Sequence, residues 1–246
     1  MQVKTLGIVG VGAFGEFMIR HLAPYFMIKL HDPDRDLALI TRTYNAAQVD
    51  LKTCATCDIV VLAVPVQRLE MVVKEIATWV KPDGLVMDVC SVKVKPAEIL
   101  SRHLPTSTNI ICTHPLFGPQ SGRRSIAGLK ISLCDVRGQK GKPVAAFLRD
   151  KLHLKVIEAT PEQHDRDMAY VQGLTHLLGK ILTDLELKGI RQTTKTFDLM
   201  MEAVSYLEHD SLELFKAIQQ ENPFVAEALA RFFSAAKRQE KDLAQL

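Results

Sequence analysis

Three glycines, Gly10, Gly12 and Gly15, stand directly after the apolar run Leu6-Gly7-Ile8-Val9, and they constrain this chain more than any other feature. The order reads as strand, tight turn and helix, with Ile28-Lys29-Leu30-His31-Asp32 as a second strand. Gly10 lets the backbone turn sharply, Gly12 leaves room for a pyrophosphate, and Gly15 lets the helix over Glu16 to Leu22 pack closely on the sheet. The helix start, with Ala13 and Phe14 beside the glycines, offers unpaired N–H groups and a partial positive charge to phosphates. Asp32 ends the second strand 22 residues beyond Gly10, where an acid accepts from the ribose hydroxyls of NAD and repels the 2′-phosphate of NADP. NAD is therefore the expected cofactor and NADP the alternative. The competing reading is a tight strand-to-helix turn in some other α/β protein.

With 246 residues, 24% of them charged, 47% hydrophobic and a net charge of +3, the chain suits an ordinary globular protein of one large or two small domains. Nothing here implies a nucleic-acid or membrane partner. The first residues run straight into a strand, so no leader is expected, and no apolar run approaches the roughly 20 residues of a membrane span. A cytoplasmic location follows as an expectation. Five scattered cysteines do not form a disulfide framework, and reduced thiols are expected. Cys54-x-x-Cys57 has no second ligand pair at metal spacing, so it reads as two small residues in a loop before a strand, and no metal site is expected.

The polar stretch from Pro33 to Asp50 holds at most a short helix around Arg35 to Thr41. Asp58-Ile-Val-Val-Leu-Ala-Val-Pro65 is an unalternating β-branched run, the mark of a parallel strand buried on both faces. Val64 and Pro65 at its carboxyl end are expected cofactor contacts. Helical spacing over Leu69 to Val80 ends at Pro82-Asp83-Gly84; a strand over Leu85 to Val89, a helix over Pro96 to His103 and a strand over Asn109 to Cys112 follow. Ile131 to Cys134 and Val156-Ile157 read as strands flanking a helix over Val144 to Leu152. This alternation predicts an α/β fold, a Rossmann domain over residues 1–159 with helices on both faces of a mostly parallel sheet. Thr160-Pro161-Glu162-Gln163 then starts a helix. Helical spacing runs to Gly189, and again over Thr194 to Leu207, Ser211 to Gln220 and Pro223 to Leu246. This second, all-helical domain over 160–246 has only about 86 residues and a poor core of its own. A homodimer joined through these helices is expected.

Ligands of open α/β sheets bind beyond the carboxyl ends of the strands. Ser91 and Lys93 follow the Leu85 strand there, and His114 follows the Asn109 strand, locked by Pro115. Histidine accepts a proton near neutral pH, so His114 suits a base beside the nicotinamide, with Ser91 bonded to the imidazole or to a substrate oxygen. The plainer readings are a packed loop histidine and an N-cap serine.

Gly10-x-Gly-x-x-Gly15, Asp88-x-x-Ser-Val-Lys93, Thr113-His-Pro-Leu-Phe-Gly-Pro119 and His164-Asp-x-x-x-Ala169-x-x-Gln172-x-x-Thr-His176 together resemble the prephenate/arogenate dehydrogenase family of tyrosine biosynthesis. The likeness runs through nearly the whole chain in order. It implies a Rossmann domain, a helical substrate and dimerisation domain with the active site between them, and NAD(P)-dependent oxidation of a cyclohexadienol with loss of CO₂. His114 would take the hydroxyl proton and Ser91 would orient it, while Gln172, Thr175 and His176 would reach the small-molecule substrate. His164 and Asp165 would fix their helix or pair within its first turn. Family members that take prephenate often present an arginine from the following helix. Here Lys195 or Asp198 falls at that point, and an acid suits the amino group of arogenate. Arogenate is the favoured substrate and prephenate the alternative; Asp198 paired with Lys195 on a solvent face is the plainer reading. A fused mutase or regulatory domain is not expected, and the helical part is shorter than in many relatives. Two rivals stand beside this reading: another reductase on the same framework, which leaves the His-Pro-Leu-Phe-Gly-Pro loop unexplained, and a non-catalytic NAD-binding protein.

Overall fold

The β-branched runs form one eight-stranded sheet in a computed structural model that describes residues 3–187, 189–207 and 210–245. In chain order the elements are β1 (Thr5–Val9), α1 (Ala13–Leu22), β2 (Met27–His31), α2 (Ala38–Tyr44), β3 (Ala47–Gln48), α3 (Leu51–Ala55), β4 (Ile59–Leu62), α4 (Val66–Ile76), β5 (Leu85–Asp88), α5 (Val94–His103), β6 (Asn109–Pro115), β7 (Lys130–Arg137), α6 (Gly141–Asp150) and β8 (Lys155–Glu158). Their order across the sheet is β3-β2-β1-β4-β5-β6-β7-β8, and every neighbour pair is parallel except β6 with β7. The order reverses direction at β1, the switch point at which such sheets open a crevice for ligands.

Burial explains the strands. Ile8, Leu30, Val60, Leu62, Val86, Ile110 and Ile111 are all sealed from solvent, which requires cover on both faces of the sheet. Ile19 of α1 and Leu37 and Ile40 at α2 pack on β1, β2 and β4; Ala145 and Leu148 of α6 pack against Leu85, Ile111, Ile131 and Leu133. In α4 the buried residues Val66, Leu69, Val72, Val73 and Ile76 form a single stripe at helical spacing. Between α1 and α6 an apolar cavity of 1160 Å³ remains, lined by Phe17, Leu22, Met87 and Phe147 among others; Gly12, Asp32, Ser91 and His114 do not line it.

Several expected boundaries move. The polar stretch before Asp50 carries α2 three residues later than its spacing predicts, and the short β3 and α3 follow. Cys54 lies within α3 rather than a loop, because Asp50 caps that helix by accepting from the Thr53 N–H at 2.7 Å. β7 is twice the expected length and draws β6 out to Pro115 by antiparallel pairing. All five cysteines are free and buried.

The chain divides into two compact units, Met1–Pro161 and Glu162–Leu246. The second holds α7 (Pro161–Met168), a π-helical segment (Ala169–Leu174), α8 (Thr175–Asp184), α9 (Lys195–Leu207), α10 (Leu212–Glu221) and α11 (Val225–Leu243). The expected helix end at Leu246 lies outside the described residues. The Gln219 side-chain amide donates to the Gly173 carbonyl of the π segment at 2.9 Å. The core here is small, with Ala169, Val225 and Ala228 at its centre. Tyr170, Val171, Leu178, Ile181 and Leu185 are exposed along one continuous helical stretch. Among the described residues no helix is long and apolar enough to cross a membrane.

Candidate active site

The sheet register sets the site. Val9 pairs with His31 and Leu62, Leu62 with Asp88, and Asp88 with Cys112. The residues that come next, Gly10, Asp32, Ala63, Val89 and Thr113, therefore line one carboxyl edge, and Val64, Pro65, Ser91 and His114 lie one or two residues further on.

At the glycine loop, Gly10 has φ +91°, and a Cβ there would lie 2.6 Å from Ala63 O. Only glycine fits this turn. A Cβ on Gly15 would meet Gly10 O at 2.4 Å, so the close approach is between the helix and its own loop as well as the sheet. Gly12 is different: its backbone is extended and a Cβ would meet nothing within 4 Å. That leaves open space at the N-terminus of α1, with Ala13 exposed and Phe14 half-buried beside it, which fits a dinucleotide pyrophosphate. Asp32 differs in detail from the expectation. Its Oδ2 accepts from the Val11 N–H at 2.7 Å and its Oδ1 from the Asp34 N–H at 2.9 Å. The carboxylate thus braces the loop, and each oxygen keeps further acceptor capacity. Arg35 donates to Val11 O and pairs with Glu16 at 3.2 Å, a cation that sequence spacing alone does not join to the loop.

Val64 is half-buried and exposed Pro65 stands at the cap position of α4; Val64 O accepts from the Cys90 thiol at 3.7 Å. His114 lies inside β6, opposite Ser132 of β7, and is 4% exposed. The expected loop position is thus corrected: pairing with β7 holds the imidazole on the sheet. Ser91 is half-buried in the turn after β5 and is not the cap of α5, a position that Lys93 occupies. Lys93, expected beyond the strand end, is instead wholly buried. Its ammonium donates to Thr113 O at 2.6 Å and pairs with the Asp88 carboxylate. Burial is the largest single influence and works against that charge, but the Asp88 carboxylate and its hydrogen bond, together with the Cys112 and Cys90 side chains, more than offset it, so the lysine pKa ends above its ordinary value. The sequence signal for this pair is an acid ending an apolar strand with a lysine five residues on.

In the helical unit, Gln172 sits in the π segment and is half-buried, Thr175 is exposed at the start of α8, and half-buried His176 lies 3.6 Å from Asp210 Oδ2. Burial lowers the His176 pKa while Asp210 opposes the shift. His164 Nδ1 and Asp165 Oδ1 are 2.8 Å apart and both residues are buried. Asp165 O accepts from Asn222 at 2.7 Å, tying α7 to the turn before α11. Lys195 and Asp198 are exposed in the first turn of α9 and form no ion pair with each other.

Residues 27–129 match the family described as prephenate dehydrogenase, nucleotide-binding domain. The chain is 28% identical over 250 residues to arogenate dehydrogenase 2, chloroplastic, of Arabidopsis thaliana, covering 97% of this chain and 69% of that protein. It is 34% identical over 190 residues to the probable arogenate/prephenate dehydrogenase of Methanocaldococcus jannaschii, covering 73% of this chain and 42% of that one. Over residues 27–129 the chain carries the nucleotide-binding domain of prephenate dehydrogenases, and along most of its length it is similar to arogenate and prephenate dehydrogenases. Solved structures share the fold: prephenate dehydrogenase from A. aeolicus in complex with hydroxyphenyl propionate and NAD+ has a TM-score of 0.78 at 19% identity over 100% of this chain and 92% of that one. Synechocystis arogenate dehydrogenase has a TM-score of 0.72 at 18% identity over 98% and 92%. The family match begins after the glycine loop, so the cofactor reading of that loop rests on its own geometry.

Proposed function

We propose that this protein is an NAD-dependent cyclohexadienyl dehydrogenase that converts arogenate to tyrosine, with prephenate to 4-hydroxyphenylpyruvate as the second reading. The observation that carries it is the alignment of His114 and Ser91 along the sheet edge that also holds the glycine loop and Asp32. NAD, held by the glycine loop and Asp32, would supply the hydride acceptor for the ring carbon. His114 takes the proton of the ring hydroxyl and Ser91 holds that oxygen and the imidazole in line. CO₂ leaves as the ring becomes aromatic, so the chain's main task is to orient the substrate and exclude water. Gly10, Gly12, Ala13, Phe14, Gly15, Asp32, Val64 and Pro65 bind the dinucleotide. Gln172, Thr175, His176, Lys195 and Asp198 contact the substrate, and an anion at Asp198 favours the ammonium of arogenate over a keto acid.

The rest of the proposal concerns the working state. The exposed residues Leu178 and Ile181 on α8 and Leu185 at its C-terminal cap support a homodimer through the helical domain, residues 160–246, with residues 1–159 binding NAD. Five buried, unbridged thiols support a reducing compartment, the cytoplasm. The deciding assay follows NADH at 340 nm with arogenate and prephenate, each with NAD and NADP; no turnover of either substrate overturns the reading. His114→Asn is expected to lower kcat by about 10²–10⁴ with NAD affinity kept, and near-normal turnover removes His114 from its role.

A further inference from the structure

We propose that Lys93 is a positioning residue: its buried ammonium, held between the Asp88 carboxylate and the Thr113 carbonyl, fixes the turn that carries Ser91 against the end of β6 that carries His114. The inference rests on the roles of Ser91 and His114 proposed above.

The backbone ladder between β5 and β6 ends at Asp88 and Cys112. Ser91 and His114 both lie beyond it, so no strand hydrogen bond joins their segments. Side chains take over where the ladder stops. Thr113 Oγ1 donates to Asp88 O at 2.7 Å, the Cys90 N–H donates to Asp88 Oδ2 at 2.8 Å, and Lys93 Nζ reaches both Asp88 Oδ2 and Thr113 O. Each of these bonds engages a residue next to Ser91 or His114, or the carboxylate that links them. Helix packing alone does not call for a lysine at this position. A buried charge has a large desolvation penalty, and Lys93 also stands at the cap position of α5, the positive end of the helix, where a cation is disfavoured. An apolar side chain would satisfy the core; the ammonium adds a rigid cross-link between two loops.

The test separates cross-linking from simple stability. Asp88→Leu/Lys93→Met removes both charges together, which leaves no unpaired ion and keeps side-chain volume. The double variant is expected to bind NAD as wild type does, with kcat about ten- to a hundredfold lower and KM little changed. Wild-type kcat in the folded double variant overturns the proposal. Asp88→Asn/Lys93→Met removes the ammonium and leaves no unpaired ion, while the new amide oxygen keeps an acceptor for the Cys90 N–H, which guards against a first double variant that does not fold. It should lower kcat in the same sense, and an unchanged kcat counts equally against the cross-link. The imidazole proton resonances of His114, assigned by their loss in His114→Asn, give a readout that needs no substrate. They should move in both variants; resonances that stay in place overturn the proposal. If wild type turns over neither substrate, the functional reading fails, while these resonances still decide the positioning role.

Discussion

Gly12, the cap of α1, and Gly15, in its first turn, stand three residues apart, yet replacement by alanine should injure different properties. At Gly12 the backbone has φ −67° and ψ −171°, which alanine adopts freely, and the new methyl meets nothing within 4 Å. Its folding cost is therefore near zero, and the reduced freedom of the unfolded chain can return about 0.4–1 kcal/mol. At Gly15 the methyl lies 2.4 Å from Gly10 O, a backbone atom that cannot swing aside. Overpacking of this kind costs about 1–3 kcal/mol. The space that is empty around Gly12 is where a pyrophosphate would sit, so the same methyl that is harmless to folding should obstruct NAD. A clash relieved by a small shift, worth about 1.5–3 kcal/mol, weakens binding roughly ten- to a hundredfold. Thermal melting and isothermal titration with NAD, run on both variants at one ionic strength, measure the two effects separately. Gly12→Ala with a wild-type Tm and a wild-type Kd would falsify the placement of the pyrophosphate, and an equal loss of Tm in both variants would show that the packing argument at Gly15 is wrong.

Asp32→Ala should weaken NAD binding more than Asp32→Asn, because asparagine keeps an acceptor for one of the Val11 and Asp34 N–H groups while losing the charge; both should narrow the preference over NADP in titrations, and a wild type that prefers NADP refutes the reading of Asp32. Asp58 is held below its ordinary 3.8 first by Lys81, then by the Thr5 N–H and hydroxyl. Its contribution to stability is therefore complete above that value and lost as pH falls toward the folded pKa. Asp58→Asn should cost about 1 kcal/mol at pH 7, a gap in denaturation midpoint that closes in acid; a gap independent of pH removes the ion pair as its cause. Asp198→Asn should shift the ratio of kcat/KM values toward prephenate by roughly tenfold, and an unmoved ratio leaves Asp198 a surface residue.

Backbone geometry was legible where a residue type has one use. Gly10 announced its left-handed turn, and the unalternating run from Ile59 to Leu62 announced a strand covered on both faces. Residues that act through distant partners were not. For Lys93 the local acid, Asp88, is a signal that the sequence carries, but the Thr113 carbonyl that also holds the ammonium reaches it only when β5 and β6 pair. His114 reads as a loop residue until β7, arriving antiparallel, extends β6 past it. The π segment shows no local signal either, and the Gln219 amide that bonds its Gly173 carbonyl lies 46 residues away.

The five buried thiols make the first unit its own unfolding gauge. Burial pushes Cys54 up to about 12 and raises Cys57, Cys90 and Cys112 as well, so a disulfide reagent finds almost no thiolate while the sheet is closed. Cys54, Cys57, Cys90, Cys112 and Cys134 all belong to Met1–Pro161, and the helical unit carries none. The labelling rate under native conditions thus counts openings of the sheet alone, and its slowing by NAD, with no engineered probe, converts directly into the free energy with which the cofactor closes that unit.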